Sequence, residues 1–279
     1  MILRLFNQRL LIGRLRVKGR PLSGPRVVRQ VESGTGSPAV VLEAGLNNGA
    51  ASWQRVVPLL APHVRVAAYD RAGIGGSVSA PGLVTIDRQI DDLASLITGL
   101  GAGPCVLAGH SWGGVLVQLL AFRRPELAAG LVLVDPGHEE MDRALPRSIQ
   151  WGWRTVRALF PDELREDAPV TMAAVRELRA AARPFPDVPV VVMSAARGFP
   201  RRFRANWTRL QTELAAAAPR GRHLIIDGTG HDIPGRRPDA VADTILEIVA
   251  RARAGSTGHT PPQRRARSCR PAGDCGWRG

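Results

Sequence analysis

The sequence predicts an α/β fold, a mostly parallel central sheet with helices on both faces. Three observations carry this expectation. Short apolar runs alternate with longer stretches of helical period, the pattern of strands joined by crossover helices. Several runs are continuous, AVVL, LVLV and VPVVVM among them, as in strands covered on both faces. The segment 86–100 places Ile86, Ile90, Leu93, Ile97 and Leu100 on one helical face.

Taken in order, strands are expected at Arg26–Glu32, Ala39–Glu43, Val64–Asp70, Pro104–Gly109, Gly130–Asp135, Val188–Ser194 and His223–Asp227. Helices are expected over Ile86–Leu100, over Trp112–Arg123 directly after a glycine-rich turn, and over Asp239–Arg251, with Pro238 suited to the first turn. One interval breaks the rhythm. About 50 residues separate the strand ending at Asp135 from the one starting at Val188, too many for a simple crossover. They read as helices Ser148–Phe160 and Val170–Arg183, divided by Pro161 and Pro169. A short helical cap insertion, about 137–187, is therefore expected at the carboxyl edge of the sheet.

Charge is concentrated at the ends. The net charge of the 279 residues is +14, yet 1–30 alone carries +8 and 251–279 carries +6, while the middle cancels. A neutral middle with basic ends argues against a nucleic-acid-binding domain. The folded domain is expected over 26–253, preceded by a basic leader at 1–25 and followed by a disordered basic tail at 254–279. Basic residues interrupt the leader too often for a secretory signal, and leave weak contact with a membrane surface as its one membrane role. No apolar run approaches the ~18–20 residues of a transmembrane span. Cys105, Cys269 and Cys275 form no disulfide framework or zinc site, with Cys105 expected as a buried thiol. A reducing, cytoplasmic setting is the default.

The chemistry-bearing motif is Gly109-His110-Ser111-Trp112-Gly113-Gly114, after the strand PCVLA. A nucleophilic serine must be exposed at a strand end, on a turn so tight that only glycine fits on either side. The helix that starts at once aims its free N–H groups at a developing oxyanion. A serine also needs a base. His231, in Gly228-Thr229-Gly230-His231 after the last strand, lies on the same edge as Ser111. His110, beside the nucleophile on a sharp turn, points elsewhere than a base would; it, Asn47 and His138, which follows Asp135, are candidates for the substrate pocket. His63 and His223 fall at strand starts, and His259 in the tail.

Gly109–Gly114, the loop Asp70-Arg71-Ala72-Gly73-Ile74-Gly75-Gly76-Ser77 and the Gly-Thr-Gly-His231 loop resemble the α/β-hydrolase family, in that family's order, over about 26–253. The resemblance implies an oxyanion hole of two backbone N–H groups. One belongs to Trp112. The other comes from the loop Glu43-Ala44-Gly45-Leu46-Asn47, where Ala44 replaces the usual histidine and Leu46 supplies the donor. Asn47 or Asn48 is a further side-chain donor or simply a turn residue. The Asp70–Ser77 loop has no chemistry of its own, and Asp70 is expected to bond its turn.

The family's acid commonly follows the strand before the histidine strand. Here PVVVMSAARGFPRRF carries none. Asp135, ending LVLVD, is the substitute, as in members with the acid on that earlier strand; Glu139 and Glu140 compete. With serine as nucleophile the implied reaction is acyl transfer to water, with no cofactor and no metal. A small apolar ester or lactone is the first expectation. Amidase or peptidase, carbon–carbon hydrolase and perhydrolase chemistry use the same triad, and a non-catalytic ligand-binding protein is the rival of another class. Trp151 and Trp153, with Phe160 and Phe185, either line the pocket as a lid or form the insertion's own core.

Overall fold

The computed structural model describes residues 16–21, 27–78, 85–140, 176, 184–198 and 201–257. Eight strands form one sheet: β1 (Arg16–Pro21), β2 (Val27–Ser33), β3 (Val40–Glu43), β4 (Val66–Tyr69), β5 (Cys105–His110), β6 (Ala128–Val134), β7 (Val190–Ala195) and β8 (Gly221–Ile226). The α-helices whose bounds fall among the described residues are α1 (Val57–Leu60), α2 (Ile86–Leu100), α3 (Trp112–Arg123), α4 (Arg201–Ala216), α5 (Ile233–Arg236) and α6 (Pro238–Thr257), with short 3-10 turns at Ala50–Trp53 and Pro125–Leu127. Strand order is β1-β2-β4-β3-β5-β6-β7-β8. β1 and β2, and β2 and β4, pair antiparallel; the remaining neighbours are parallel.

The continuous apolar strands bury both faces. Val41, Leu107, Leu131, Leu133 and Val192 pack with Ile90, Leu93 and Ile97 of α2, Leu116 and Leu119 of α3 and Leu214 of α4. Their neighbours Val40, Leu42, Val106, Val132 and Val191 face the other layer, against Leu60 of α1 and Val241, Ile245 and Ile248 of α6. Each aliphatic side chain so buried contributes about 1.5–3 kcal/mol. Helix α2 has the expected bounds because its ends are capped. Thr85 Oγ1 accepts the Arg88 N–H, and Gly101 closes the helix at φ 61°.

Three expectations need correction. The basic leader is not wholly outside the fold: Arg16–Pro21 pairs with β2 from Arg16↔Glu32 to Pro21↔Val27. Edge strands tolerate charge and proline, which block further pairing, so RVKGRP carries no apolar strand signal. Helix α4 is absent from the sequence reading, and α6 runs on to Thr257, into the expected tail. The remainder of that tail, the helix expected at 148–160, the one expected at 170–183 apart from Arg176, which is helical, and Trp151, Trp153 and Phe160 lie outside the described residues. Phe185 is described and is no lid residue. It is buried in the sheet core with its ring 4.7 Å from that of Phe122. No helix of the described residues is long and apolar enough to cross a membrane.

Strand order also locates the site. From β3 the chain moves outward to β4, then returns to place β5 on the other side of β3. This is a topological switch point, where the loops leaving adjacent strands part and open a crevice at their carboxyl ends. Glu43 of β3 is in register with Gly109 of β5, and His110 with Val134 of β6. The loops beginning at Ala44, Ser111 and Asp135 therefore emerge side by side.

Candidate active site

The turn from β5 into α3 holds Ser111 at φ 52°, a left-handed conformation that costs a non-glycine residue about 1–3 kcal/mol. Three backbone bonds maintain it. Ser111 N donates to Val134 O, and Ser111 O accepts from Gly114 N and Gly137 N, each at 3.0 Å. The flanking glycines are steric requirements. A Cβ on Gly109 would lie 2.4 Å from Gly113 O, and one on Gly113 would lie 2.3 Å from Glu43 O.

His231 Nε2 is 3.0 Å from Ser111 Oγ, and His231 Nδ1 is 2.6 Å from Asp135 Oδ2. A carboxylate accepts, so Nδ1 carries the proton and Nε2 is left to accept from the serine hydroxyl. The carboxylate is fully buried while the imidazole is about half exposed (47%). Asp135 itself sits at φ 44°, directly after β6. Its other oxygen, Oδ1, accepts the Ala195 N–H at 3.2 Å and the Trp207 indole N–H at 2.9 Å. Among the described residues, this carboxylate's partners come from β7, α4 and the histidine loop. Glu139 and Glu140 are engaged elsewhere: Glu140 N donates to His138 Nδ1 at 3.1 Å, Glu139 Oε2 lies 3.5 Å from the same nitrogen, and Arg176 reaches Glu140 at 3.4 Å. His138 is buried in that turn.

The other expected residues take defined places. Trp112 opens α3, and its indole donates to Gln89 of α2 at 3.1 Å. Leu46 and Asn47 occupy a turn closed by Asn48 N donating to Gly45 O at 3.1 Å, with Asn47 at φ 54°. Asn48 Nδ2 donates to Leu46 O, inside its own turn. His110 Nε2 donates to the carbonyl of His231 at 2.8 Å, tying the nucleophile turn to the histidine loop. Burial, reinforced by the neighbouring His231, pushes the His110 imidazole down to about 4. A second serine–histidine contact, Ser194 Oγ to His223 Nε2 at 2.8 Å, belongs to a fully buried serine and cannot meet a substrate.

Two residues that touch this arrangement went unassigned in the sequence reading. Trp207 lies on α4, 72 residues from the carboxylate it bonds, and its one sequence signal is the apolar spacing Phe203, Trp207, Leu210, Leu214. Arg71 lies in the Asp70–Ser77 loop. It is buried against Glu43 at 2.6 Å and donates to the carbonyls of Ala44 and Gly45, both at 2.7 Å. Asp70 bonds its turn as expected, accepting from Ala50 N and Gly76 N.

Comparison with known proteins gives a consistent picture. The chain is 25% identical over 254 residues to a protein of Pantoea ananatis named "Putative carbamate hydrolase RutD"; the match covers 78% of this chain and 90% of that one. It is 41% identical over 105 residues to lipase LipV of Mycobacterium tuberculosis, covering 37% and 39% respectively. A thermophilic esterase from Thermogutta terrifontis superposes with TM-score 0.61 at 22% identity, over 85% of this chain and 99% of the other, and shows the shared fold. Residues 40–244 match the model of the Alpha/beta hydrolase family, well over half of the chain, and the protein therefore belongs to that family of enzymes.

Proposed function

We propose that the protein is a serine hydrolase that transfers an acyl group to water through an acyl-enzyme on Ser111. The observation that carries this reading is the unbroken line Ser111–His231–Asp135, with contacts of 3.0 and 2.6 Å, at the mouth of a strained strand–helix turn. His231 Nε2 takes the hydroxyl proton as Ser111 Oγ attacks the carbonyl carbon. Asp135 holds the Nδ1–H tautomer and stabilises the imidazolium that forms. The N–H groups of Trp112 and Leu46 receive the carbonyl oxygen as it becomes negative. The imidazolium then protonates the leaving oxygen, and a water activated by the same nitrogen releases the acid.

The substrate class favoured is a small, mostly apolar carboxylic ester or lactone. What supports it is the esterase and lipase naming of relatives together with a nucleophile suited to acyl carbon. A reducing, cytoplasmic setting fits the buried free thiol of Cys105, which burial holds up at about 11. A serine-reactive fluorophosphonate tests the mechanism. Wild type is expected to label covalently and Ser111→Ala to remain unlabelled, with loss of p-nitrophenyl ester hydrolysis in parallel. Unlabelled wild type, or equal labelling of both, overturns the reading in favour of a ligand-binding protein on the same fold.

A further inference from the structure

We propose that Arg71 is a positioning residue for the oxyanion hole, gripping the carbonyls of Ala44 and Gly45 so that the amide N–H of Leu46 faces the oxygen that becomes negative on Ser111. The proposal deepens the serine-hydrolase reading and rests on it. Its starting point is a buried cation. The Arg71 side chain is 3% exposed, and its Glu43 partner 1%. An ion pair so deeply buried recovers little net stability once both groups have left water. Its placement points to a task.

The guanidinium spends its donors on the loop after β3. Nη1 bonds Glu43 Oε1 and Ala44 O, and Nη2 bonds Gly45 O. The Tyr69 hydroxyl donates to the other Glu43 oxygen, so the acid is itself held from β4. A trans peptide is planar, with its C=O and N–H directed to opposite sides. Gripping Gly45 O from one side therefore aims the Leu46 N–H away from Arg71. The opposite side of this loop is the nucleophile turn. A Cβ on Gly45 would lie 3.5 Å from Ser111 Cβ, and Gly113 packs with no room for a Cβ against Glu43 O and Ala44 O. The loop is thus clamped between a planar cation and the turn that carries Ser111. Asn48 N shares Gly45 O, but a single turn bond leaves the peptide free to tilt. The planar fork of arginine can hold two successive carbonyls and a carboxylate together; the ammonium of lysine is one point on a flexible stem.

This task fits the departure noted in the sequence, where Ala44 stands at the position the family fills with histidine. Ala44 offers no hydrogen-bonding side chain, and the brace on its carbonyl and on that of Gly45 comes from the following loop, through Arg71.

The test compares wild type, Ser111→Ala, Arg71→Lys and Arg71→Met, reading kcat, KM and inhibition by an alkyl trifluoromethyl ketone, whose serine adduct carries an oxyanion. Folded fraction is measured for each by near-UV circular dichroism, and rates are referred to folded protein. Arg71→Met is expected to lower kcat about 10²-fold, the effect of losing one oxyanion donor, with KM within threefold. Inhibitor affinity falls by the same factor as kcat/KM. Arg71→Lys keeps a charge beside Glu43 and is the variant that decides the matter where the Met variant does not fold. It is expected to lose at least tenfold in kcat and in inhibitor affinity. A role confined to stability leaves kcat and inhibitor affinity of the folded Lys protein within threefold of wild type, and that result overturns the proposal. Absence of Ser111-dependent turnover in wild type instead overturns the hydrolase reading, and this proposal with it.

Discussion

Replacing Asp135 with asparagine should disable His231 without disturbing the fold, and the structure specifies how. Oδ1 of Asp135 accepts two donors, the Ala195 N–H and the Trp207 indole N–H. An asparagine has one acceptor oxygen, and those two donors claim it. Its NH2 then occupies the position of Oδ2, 2.6 Å from His231 Nδ1. Two N–H groups cannot face each other, so His231 must give up the Nδ1 proton and carry it on Nε2. Nε2–H now points at Ser111 Oγ, and the base has no lone pair for the serine proton. The opposite flip would leave two buried donors facing an NH2, each costing about 1–3 kcal/mol, so it offers no escape. A serine triad held in the wrong tautomer loses about 10⁴-fold in kcat. That corresponds to about 5 kcal/mol of transition-state stabilisation. Steady-state hydrolysis of a p-nitrophenyl ester measures it, with circular dichroism reporting an unchanged fold. A fall of less than threefold refutes the reasoning and returns the acid's role to Glu139 or Glu140.

Two further outcomes follow from the packing and the electrostatics. Gly113→Ala should destabilise by about 3 kcal/mol, the upper end of overpacking costs, because the obstructing atoms are backbone oxygens of Glu43 and Ala44 that cannot rotate away; a urea midpoint unchanged from wild type would contradict this. His110, held down at about 4 against an ordinary 6.5, makes stability depend on pH in a definite sense. Above pH 6.5 it is neutral in both states and contributes no slope. As pH falls from 6.5 to 4 the unfolded chain binds a proton that the folded chain refuses, so stability declines, by at most about 3 kcal/mol. His110→Gln should flatten that decline in urea titrations between pH 4.5 and 7, and an identical slope in the variant would refute the assignment.

Much of the scaffold was legible because its causes are local. Continuous apolar runs mark β3, β5, β6 and β7, since a strand covered on both faces must be apolar at every position. Helix α2 was legible to the residue because one apolar face runs its full length, and the structure caps it at the same two ends, with Thr85 and Gly101. The Gly-His-Ser-Trp-Gly turn was legible because the geometry it needs admits glycine alone at two positions. β1 was not, because an edge strand made of RVKGRP has the composition of a solvated segment. Helix α4 was also missed; four arginines within its span mask the apolar stripe of Phe203, Trp207, Leu210 and Leu214.

The sequence by itself determined the fold class, the strand-to-helix turn at Ser111 and the edge of the sheet on which His231 and Asp135 stand. Each of these follows from short-range pattern and from which end of a strand a loop leaves. Only the tertiary structure decided that Asp135 rather than Glu139 or Glu140 meets His231, that Trp207 closes the far side of its carboxylate, and that Arg71 holds the loop of Leu46. These contacts join residues 72, 96 and 26 positions apart. Nothing in their local sequence encodes them, because the register of β6 against β7 and the switch between β3 and β5 bring the partners together, and both are settled by packing of the whole sheet.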